Sequence, residues 1–303
     1  MSKRVKVGID FGATRIKMAF VGEKGGLSYR REISTPIDAK RSVLIDTIAS
    51  SVREIIEESG FNKRDIIGIG IGVPGPVDSK RGVIRYLPNI KGWKGVALRS
   101  ILQTKLGIKV ALDNDVNAMT LGEYRFGSGK GARNLVCLTL GTGVGGGIII
   151  NGEIYRGSTM CAGEVGHIPI NEKGPKCNCR GIACIERYIG NRYIIEQARM
   201  VFRKGITLED LTGLARSGNK DAKRIWEDVG EKLGVALTGV VNLLNPDRIV
   251  IGGGVSNAGE LILRPLRRGI KIRAMKDQAL HVKIVRGKLG DNAGIVGASL
   301  LVG

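Results

Sequence analysis

Histidine and cysteine are scarce in this chain, with 2 His and 5 Cys among 303 residues. An odd number of cysteines, with no apolar secretory core after Met1-Ser-Lys-Arg-Val, excludes a disulfide-built secreted scaffold. The expected compartment is therefore reducing and cytoplasmic. Aromatics make up only 4% of residues, too few for a platform on which single-stranded nucleic acid would stack. Gly, Pro or charge interrupts every apolar stretch before it reaches about 18 residues, so no membrane span is expected. Acidic residues are also few, 28 against 48 Lys and Arg, giving a formal net charge of +20. Such a field attracts anions of any kind, phosphorylated cosubstrates included. The basic residues are scattered, with denser stretches at 80–109 and 264–288, and Arg264 to Arg273 reads as a solvated face. No nucleic-acid partner is expected.

Two nucleotide-binding signatures are missing as well. No Gly-x-x-x-x-Gly-Lys-Ser/Thr occurs, which excludes a P-loop, and no Gly-x-Gly-x-x-Gly opens a helix after the first strand.

Glycine, by contrast, is plentiful and ordered. The segments Val7 to Phe20 and Leu138 to Ile150 each run from an apolar strand through a turn of small residues into a second apolar strand. These read as β-hairpins whose backbone amides can approach an anion closely. They lie about 130 residues apart and suggest an internally duplicated architecture. A third glycine cluster, Gly252-Gly253-Gly254, follows the strand at Ile249 and would let an adenine lie close to the backbone. In the first hairpin, Asp10-x-Gly12-x-Thr14 combines a carboxylate, a turn and a hydroxyl. The amides and Thr14 would bind phosphoryl oxygens while Asp10 orients magnesium through water, and Lys17 lies three residues on. Gly141-Thr142-Gly143 would form a second phosphate clamp.

Between these hairpins, helical spacing over 42–58, a buried strand over 66–73 and a short strand over 109–113 alternate. A helix follows from Asn117, and a long helical pattern covers 221–244 and stops at Asn245-Pro246. The last small-residue helix is expected over 294–301. Strands alternating with helices make this an α/β protein.

Most of the scarce His and Cys gather in one place. Glu164-Val-Gly-His167, Cys177-Asn-Cys179 and Cys184-Ile-Glu186 fall within about two dozen residues. Three thiols and an imidazole are the ligand types of a closed, structural zinc site. Glu164 and Glu186 flank it and would be held at fixed positions to bind a polar ligand. Cys137 reads as a core residue and Cys161 as a bystander. The segment Asp113-Asn114-Asp115-Val-Asn117 lies between a strand and a helix. One such residue suffices to cap a helix, whereas four in five point to a carboxylate that accepts a proton during phosphoryl transfer.

With these motifs assembled, the chain resembles the ROK family (repressor, open reading frame, kinase), in particular its bacterial ATP-dependent glucokinases. Asp10-x-Gly12-x-Thr14, Leu140 to Gly143, Glu164 to His167 and Cys177 to Glu186 carry the resemblance, which extends over essentially the whole chain. It implies an actin-like, hexokinase-type duplicated fold of two α/β domains closing over a cleft. It implies Asp115 as the base at a sugar 6-hydroxyl, with Asp113 as its rival. The sugar contacts would be Asn89, Asn114, Asp115, Glu164, His167 and Glu186. Zinc would be held by His167, Cys177, Cys179 and Cys184. ATP and magnesium would be held by Asp10, Gly12, Thr14, Lys17, Gly141, Thr142, Gly143, Gly253 and Gly254. The expected domains are 1–117, completed by a final helix at 292–303, and 118–291, which carries the zinc loop. The implied protein is a homodimeric or homotetrameric hexose kinase, most directly a glucokinase. N-acetylmannosamine or N-acetylglucosamine kinase is the alternative acceptor reading, and a non-catalytic sugar sensor the alternative class. Repressors of the family carry a helix-turn-helix region ahead of the first motif, which here starts at Asp10, so an enzyme is expected. One departure concerns the zinc loop, where Arg180 and Ala183 stand at positions that are glycine in the family. If either position needs a positive φ, the loop is expected to bend differently.

Overall fold

The computed structural model describes residues 4–35, 40–88, 90–202 and 204–303. The chain divides into two compact units. One comprises 1–130, 154–162 and 291–303, the other 131–153 and 163–290.

The first unit opens with β1 (Val5–Phe11), β2 (Arg15–Val21) and β3 (Leu27–Ser34), followed by α1 (Arg41–Ser59). Then come β4 (Ile66–Val73), the short β5 (Val77–Asp78) and β6 (Val83–Ile84), and α2 (Leu98–Leu106). The strand β7 (Val110–Asn114) leads directly into α3 (Asp115–Phe126). The five-stranded sheet has the order β3-β2-β1-β4-β7. β1 pairs antiparallel with β2 and parallel with β4, which pairs parallel with β7. Alternation explains why β1 sits where it does, since Val7, Ile9 and Phe11 point into a core with Ile48, Val52, Ile71 and Trp93.

The second unit repeats this plan. β8 (Leu135–Leu140), β9 (Val144–Ile150), β10 (Glu153–Tyr155), β11 (Arg248–Gly252) and β12 (Lys283–Arg286) form a sheet of order β10-β9-β8-β11-β12. β8 again pairs antiparallel with its hairpin partner β9 and parallel with β11. Its helices are α4 (Glu186–Ile189), α5 (Asn191–Val201), α6 (Leu208–Arg216), α7 (Lys220–Leu244), α8 (Glu260–Arg273) and α9 (Lys276–His281). Asn219 caps α7 by accepting the Ala222 N–H, and Asn245 ends it in the left-handed conformation ahead of Pro246. The matching strand orders confirm the duplication read from the two hairpins. Cys137 is indeed fully buried in β8.

The last helix, α10 (Ala293–Ser299), belongs to the first unit. It lies against β1, β4 and α3 at a distance only glycine allows. A Cβ at Gly70 would overlap the Ala298 carbonyl, and one at Gly297 the Ala118 carbonyl. The division between the units falls at Lys130/Gly131, whereas the expected boundary at 117/118 would cut α3 in two. That helix, expected from Asn117, begins instead at Asp115, because Asn114 supplies the cap.

Candidate active site

The first unit holds two of the predicted motifs. Gly12 makes the β1–β2 turn, its N–H donating to the Arg15 carbonyl at 3.0 Å, and a Cβ there would meet that carbonyl oxygen at 2.7 Å. Thr35 braces the turn from behind: its hydroxyl donates to the Gly12 carbonyl at 2.9 Å and its N–H to the Thr14 carbonyl at 2.9 Å. Thr14 itself is left exposed. Asp10 lies opposite Lys17 across the β1–β2 pair. Burial raises the Asp10 pKa, Lys17 offsets part of that rise and Asp291 adds to it.

The strand-to-helix corner after β7 sorts four candidates by role. Asn114 is the N-cap of α3, its side-chain oxygen accepting from the N–H groups of Val116 at 2.9 Å and Asn117 at 3.2 Å. Its amide nitrogen donates to the Gly75 carbonyl at 3.2 Å. The side chain assigned to sugar contact is thus already engaged at both ends as a cap. Asp113 is buried, and its Oδ1 accepts from Asn114 N–H at 2.7 Å and Asn117 Nδ2 at 3.0 Å. Its Oδ2 accepts from Arg156 Nε at 2.8 Å and Nη2 at 2.6 Å. Both oxygens of Asp113 are therefore engaged within the protein. Asp115 differs: its carboxylate accepts from the Val116 N–H at 2.9 Å, and it is half-buried. Burial and then the neighbouring Asp10 carboxylate push its pKa up to about 7. A carboxylate of that pKa is suited to proton transfer near neutrality. Asn89 lies outside the described residues.

The second unit brings the cysteine cluster together on a narrow ribbon. Pro169 pairs with Cys184 and Lys176 with Ile182, and the Ala183 N–H donates to the Pro175 carbonyl at 3.0 Å. His167 ends a short 3-10 turn, Val165–His167, beside this ribbon. The ligand atoms of His167, Cys177, Cys179 and Cys184 all lie within 4.8 Å of one another. Zn–S bonds of about 2.3 Å at tetrahedral angles require ligand atoms about 3.8 Å apart. The structure has 3.6 Å between the Cys179 and Cys184 sulfurs and 3.7 Å between Cys177 Sγ and His167 Nδ1. Donor types and spacing therefore both fit the ion. His167 turns Nδ1 to the thiols and Nε2 to Glu164, 3.7 Å away.

The loop takes positive φ at both positions without glycine. Arg180 and Ala183 occupy the left-handed region themselves, at φ 75° and 55°. The Gly181 N–H, 3.4 Å from Cys179 Sγ, lowers that thiol's pKa, while burial raises that of Cys184.

Glu186 opens α4 and joins this cluster to the second hairpin, a link the sequence did not reveal. Its Oε2 accepts from the Val144 N–H at 2.9 Å, and a Cβ at Gly143 would come within 2.5 Å of the same oxygen. The Asn191 N–H donates to the Gly141 carbonyl at 2.9 Å, fixing the other arm of the turn. Gly141, Thr142 and Gly143 thus form a clamp held on both sides, with Thr142 exposed. Gly253 has φ 80° and packs against the Leu140 backbone, whereas Gly254 faces open space.

Two hairpin-centred sheets of identical order, each with a glycine turn, define the actin-like, hexokinase-type duplicated α/β fold. The profile of the ROK family matches residues 6–303. The chain belongs to the ROK family. It is 36% identical to the glucokinase of Halalkalibacterium halodurans, over 100% of this chain and 96% of the relative. It is 31% identical to the xylose repressor of Caldicellulosiruptor bescii, over 98% of this chain and 77% of that one. Among solved structures, a ROK family glucokinase from Streptomyces griseus in complex with glucose and AMPPNP superimposes with a TM-score of 0.84. That match has 31% identity and covers 98% of this chain and 99% of the other.

Proposed function

We propose that this protein is an ATP-dependent hexose kinase that transfers the γ-phosphate of MgATP to the 6-hydroxyl of a hexose, with glucose the preferred acceptor. The observation that carries the reading is the division of labour at the α3 corner. Asp113 and Asn114 are consumed by structural hydrogen bonds, and Asp115 is left with a raised pKa. Asp115 would accept the proton of the attacking hydroxyl. Phosphoryl transfer otherwise asks for alignment and charge neutralisation. Thr14 and the amides of the two glycine turns supply donors for phosphoryl oxygens, and Lys17 a positive charge. Asp10, held from water beside Asp115 and Asp291, fits a divalent cation, and magnesium there would neutralise charge on the phosphates. Gly254, which faces open space, would leave room for the adenosine end, while Gly253 turns the backbone beside Leu140.

Glu164, His167 and Glu186 are the candidate sugar ligands of the second unit. A structural zinc on His167, Cys177, Cys179 and Cys184 would fix the imidazole, leaving Nε2 to a sugar hydroxyl. The glucokinase relatives support glucose as the acceptor. The test is ADP release with MgATP and a panel of glucose, mannose, fructose, N-acetylmannosamine and N-acetylglucosamine. Strong glucose preference is expected, and activity confined to an N-acetyl sugar would reassign the acceptor.

The likeness to xylose repressors favours one second reading, a sugar sensor without turnover. Sugar-induced stabilisation with no ADP release from any sugar would establish it. We also read the chain as a cytoplasmic homo-oligomer. Exposed Leu243, Ile272, Met275 and Leu280 on α7–α9 and the adjoining turn support the oligomer, and sedimentation would test it. No described helix is long and apolar enough to cross a membrane.

A further inference from the structure

We propose that Arg156 is a positioning residue for the base. Its guanidinium, clamped on Asp113, fixes the corner from which Asp115 is presented. The inference rests on the kinase reading and adds to it a residue that lies outside every motif.

Arg156 sits in the short stretch 154–162, which belongs to the first unit although the chain on either side belongs to the second. The stretch is closed on itself, with the Ala162 N–H donating to the Arg156 carbonyl at 3.0 Å. From there two guanidinium nitrogens reach one carboxylate oxygen, Asp113 Oδ2, at 2.8 and 2.6 Å. The Asp113 side chain is only 3% exposed. Its other oxygen holds the Asn114 N–H and the Asn117 amide, one before and two after Asp115. Asp113 is thus the post to which both flanks of the base are tied, and Arg156 is its counter-charge.

A carboxylate this buried is stable as an anion only while paired. Without Arg156 it must take up a proton or turn towards water. Either response alters its hold on Asn114 and Asn117, and with them the direction of the first turn of α3. A carboxylate misplaced by about 1 Å from its reacting proton loses up to about a hundredfold in rate. Glucose contacts assigned to Glu164, His167 and Glu186 do not depend on this pair, so the loss should fall on turnover.

The experiment compares Arg156→Ala, Arg156→Lys, Asp113→Asn and Arg156→Ala/Asp113→Asn, with Asp115→Asn as reference. It measures kcat and glucose KM by ADP release, and glucose-induced stabilisation by thermal melting. Arg156→Ala should lower kcat by about 10- to 100-fold with glucose KM and glucose-induced stabilisation unchanged. Arg156→Lys should lose less, and added guanidinium should restore part of the turnover of Arg156→Ala. The double variant should lose less than the two single losses multiplied together, because it no longer buries an unpaired charge. An unchanged kcat in Arg156→Ala, with Asp115→Asn inactive, overturns the positioning role and leaves the base assigned. Full turnover in Asp115→Asn overturns the base and this inference with it. Equal losses in kcat and sugar binding, with no guanidinium rescue, reduce Arg156 to a structural ion pair and also overturn the inference. If Arg156→Ala fails to fold, Arg156→Lys decides: a reduced kcat at unchanged KM supports the role, and a wild-type kcat refutes it.

Discussion

Asp115→Asn should cost turnover and raise stability, and the second effect can be worked out from the structure. Substitution keeps the size of the side chain and removes its charge. In the folded protein burial and Asp10 push the carboxyl up to about 7 from an ordinary 3.8. Folding therefore favours the protonated form, and between those two pH values the folded state binds more protons than the unfolded one. The stability associated with this group is fully present below the unfolded pKa and is lost as the pH rises to the folded one. A shift of about three units at about 1.4 kcal/mol each sets an upper limit near 4 kcal/mol on that loss above pH 7. Solvent reaches the half-buried side chain, so about 2 kcal/mol is the working value. An uncharged carboxamide at this position carries no such penalty. Thermal melting without ligands should therefore show the variant about 3 °C above the wild type at pH 8. The gap should narrow steadily as the pH is lowered towards 4. A variant that melts no higher at pH 8, or a gap independent of pH, would refute this explanation of the raised carboxyl.

Four further predictions concern the same carboxyl and other parts of the molecule. The pH profile of kcat/KM should show an acid limb near pH 7, from the same carboxyl in the free enzyme, and a flat profile down to pH 5 would contradict it. Metal analysis should find about one zinc per chain, and a chelator should lower the melting temperature; metal-free protein with unchanged melting would rule out a structural ion. Arg180→Gly should leave zinc in place and stabilise the metal-bound protein by up to about 1 kcal/mol, because glycine adopts φ 75° without a Cβ penalty. A fall in melting temperature would show that the Arg180 side chain contributes more than its backbone costs. Gly143→Ala should raise the KM for ATP about tenfold or more by forcing Glu186 away from the Val144 N–H, and unchanged steady-state kinetics would show that the clamp tolerates the displacement.

What could be read from the sequence was local or repeated. Each glycine hairpin declares itself by an apolar strand on either side of small residues, and two of them announce the matching sheets of order β3-β2-β1-β4-β7 and β10-β9-β8-β11-β12. The His/Cys cluster was legible because three cysteines and a histidine are conspicuous in a chain with so few. The start of α3 was not. Asn114, Asp115 and Asn117 are all competent caps by type, and only the hydrogen bonds of Asn114 choose among them. Nor could spacing separate Asp113 from Asp115, because what distinguishes them is a guanidinium 43 residues away. The Glu186–Val144 contact is hidden for the same reason, being 42 residues apart in sequence. The conformations of Arg180 and Ala183 run against residue preference. The ribbon pairings on either side of them hold the backbone there instead. The unit boundary at Lys130 reflects packing of α3 on α10, an encounter between segments about 170 residues apart.

The central claim is that Asp115 is the base of a sugar kinase. It is tested most directly by ADP release from MgATP and glucose at pH 8, comparing wild type with Asp115→Asn while glucose binding is followed by thermal stabilisation. Glucose-dependent turnover is expected in the wild type, and in the variant a loss of several orders of magnitude with glucose binding retained. Turnover in Asp115→Asn within a few-fold of the wild type would contradict the claim.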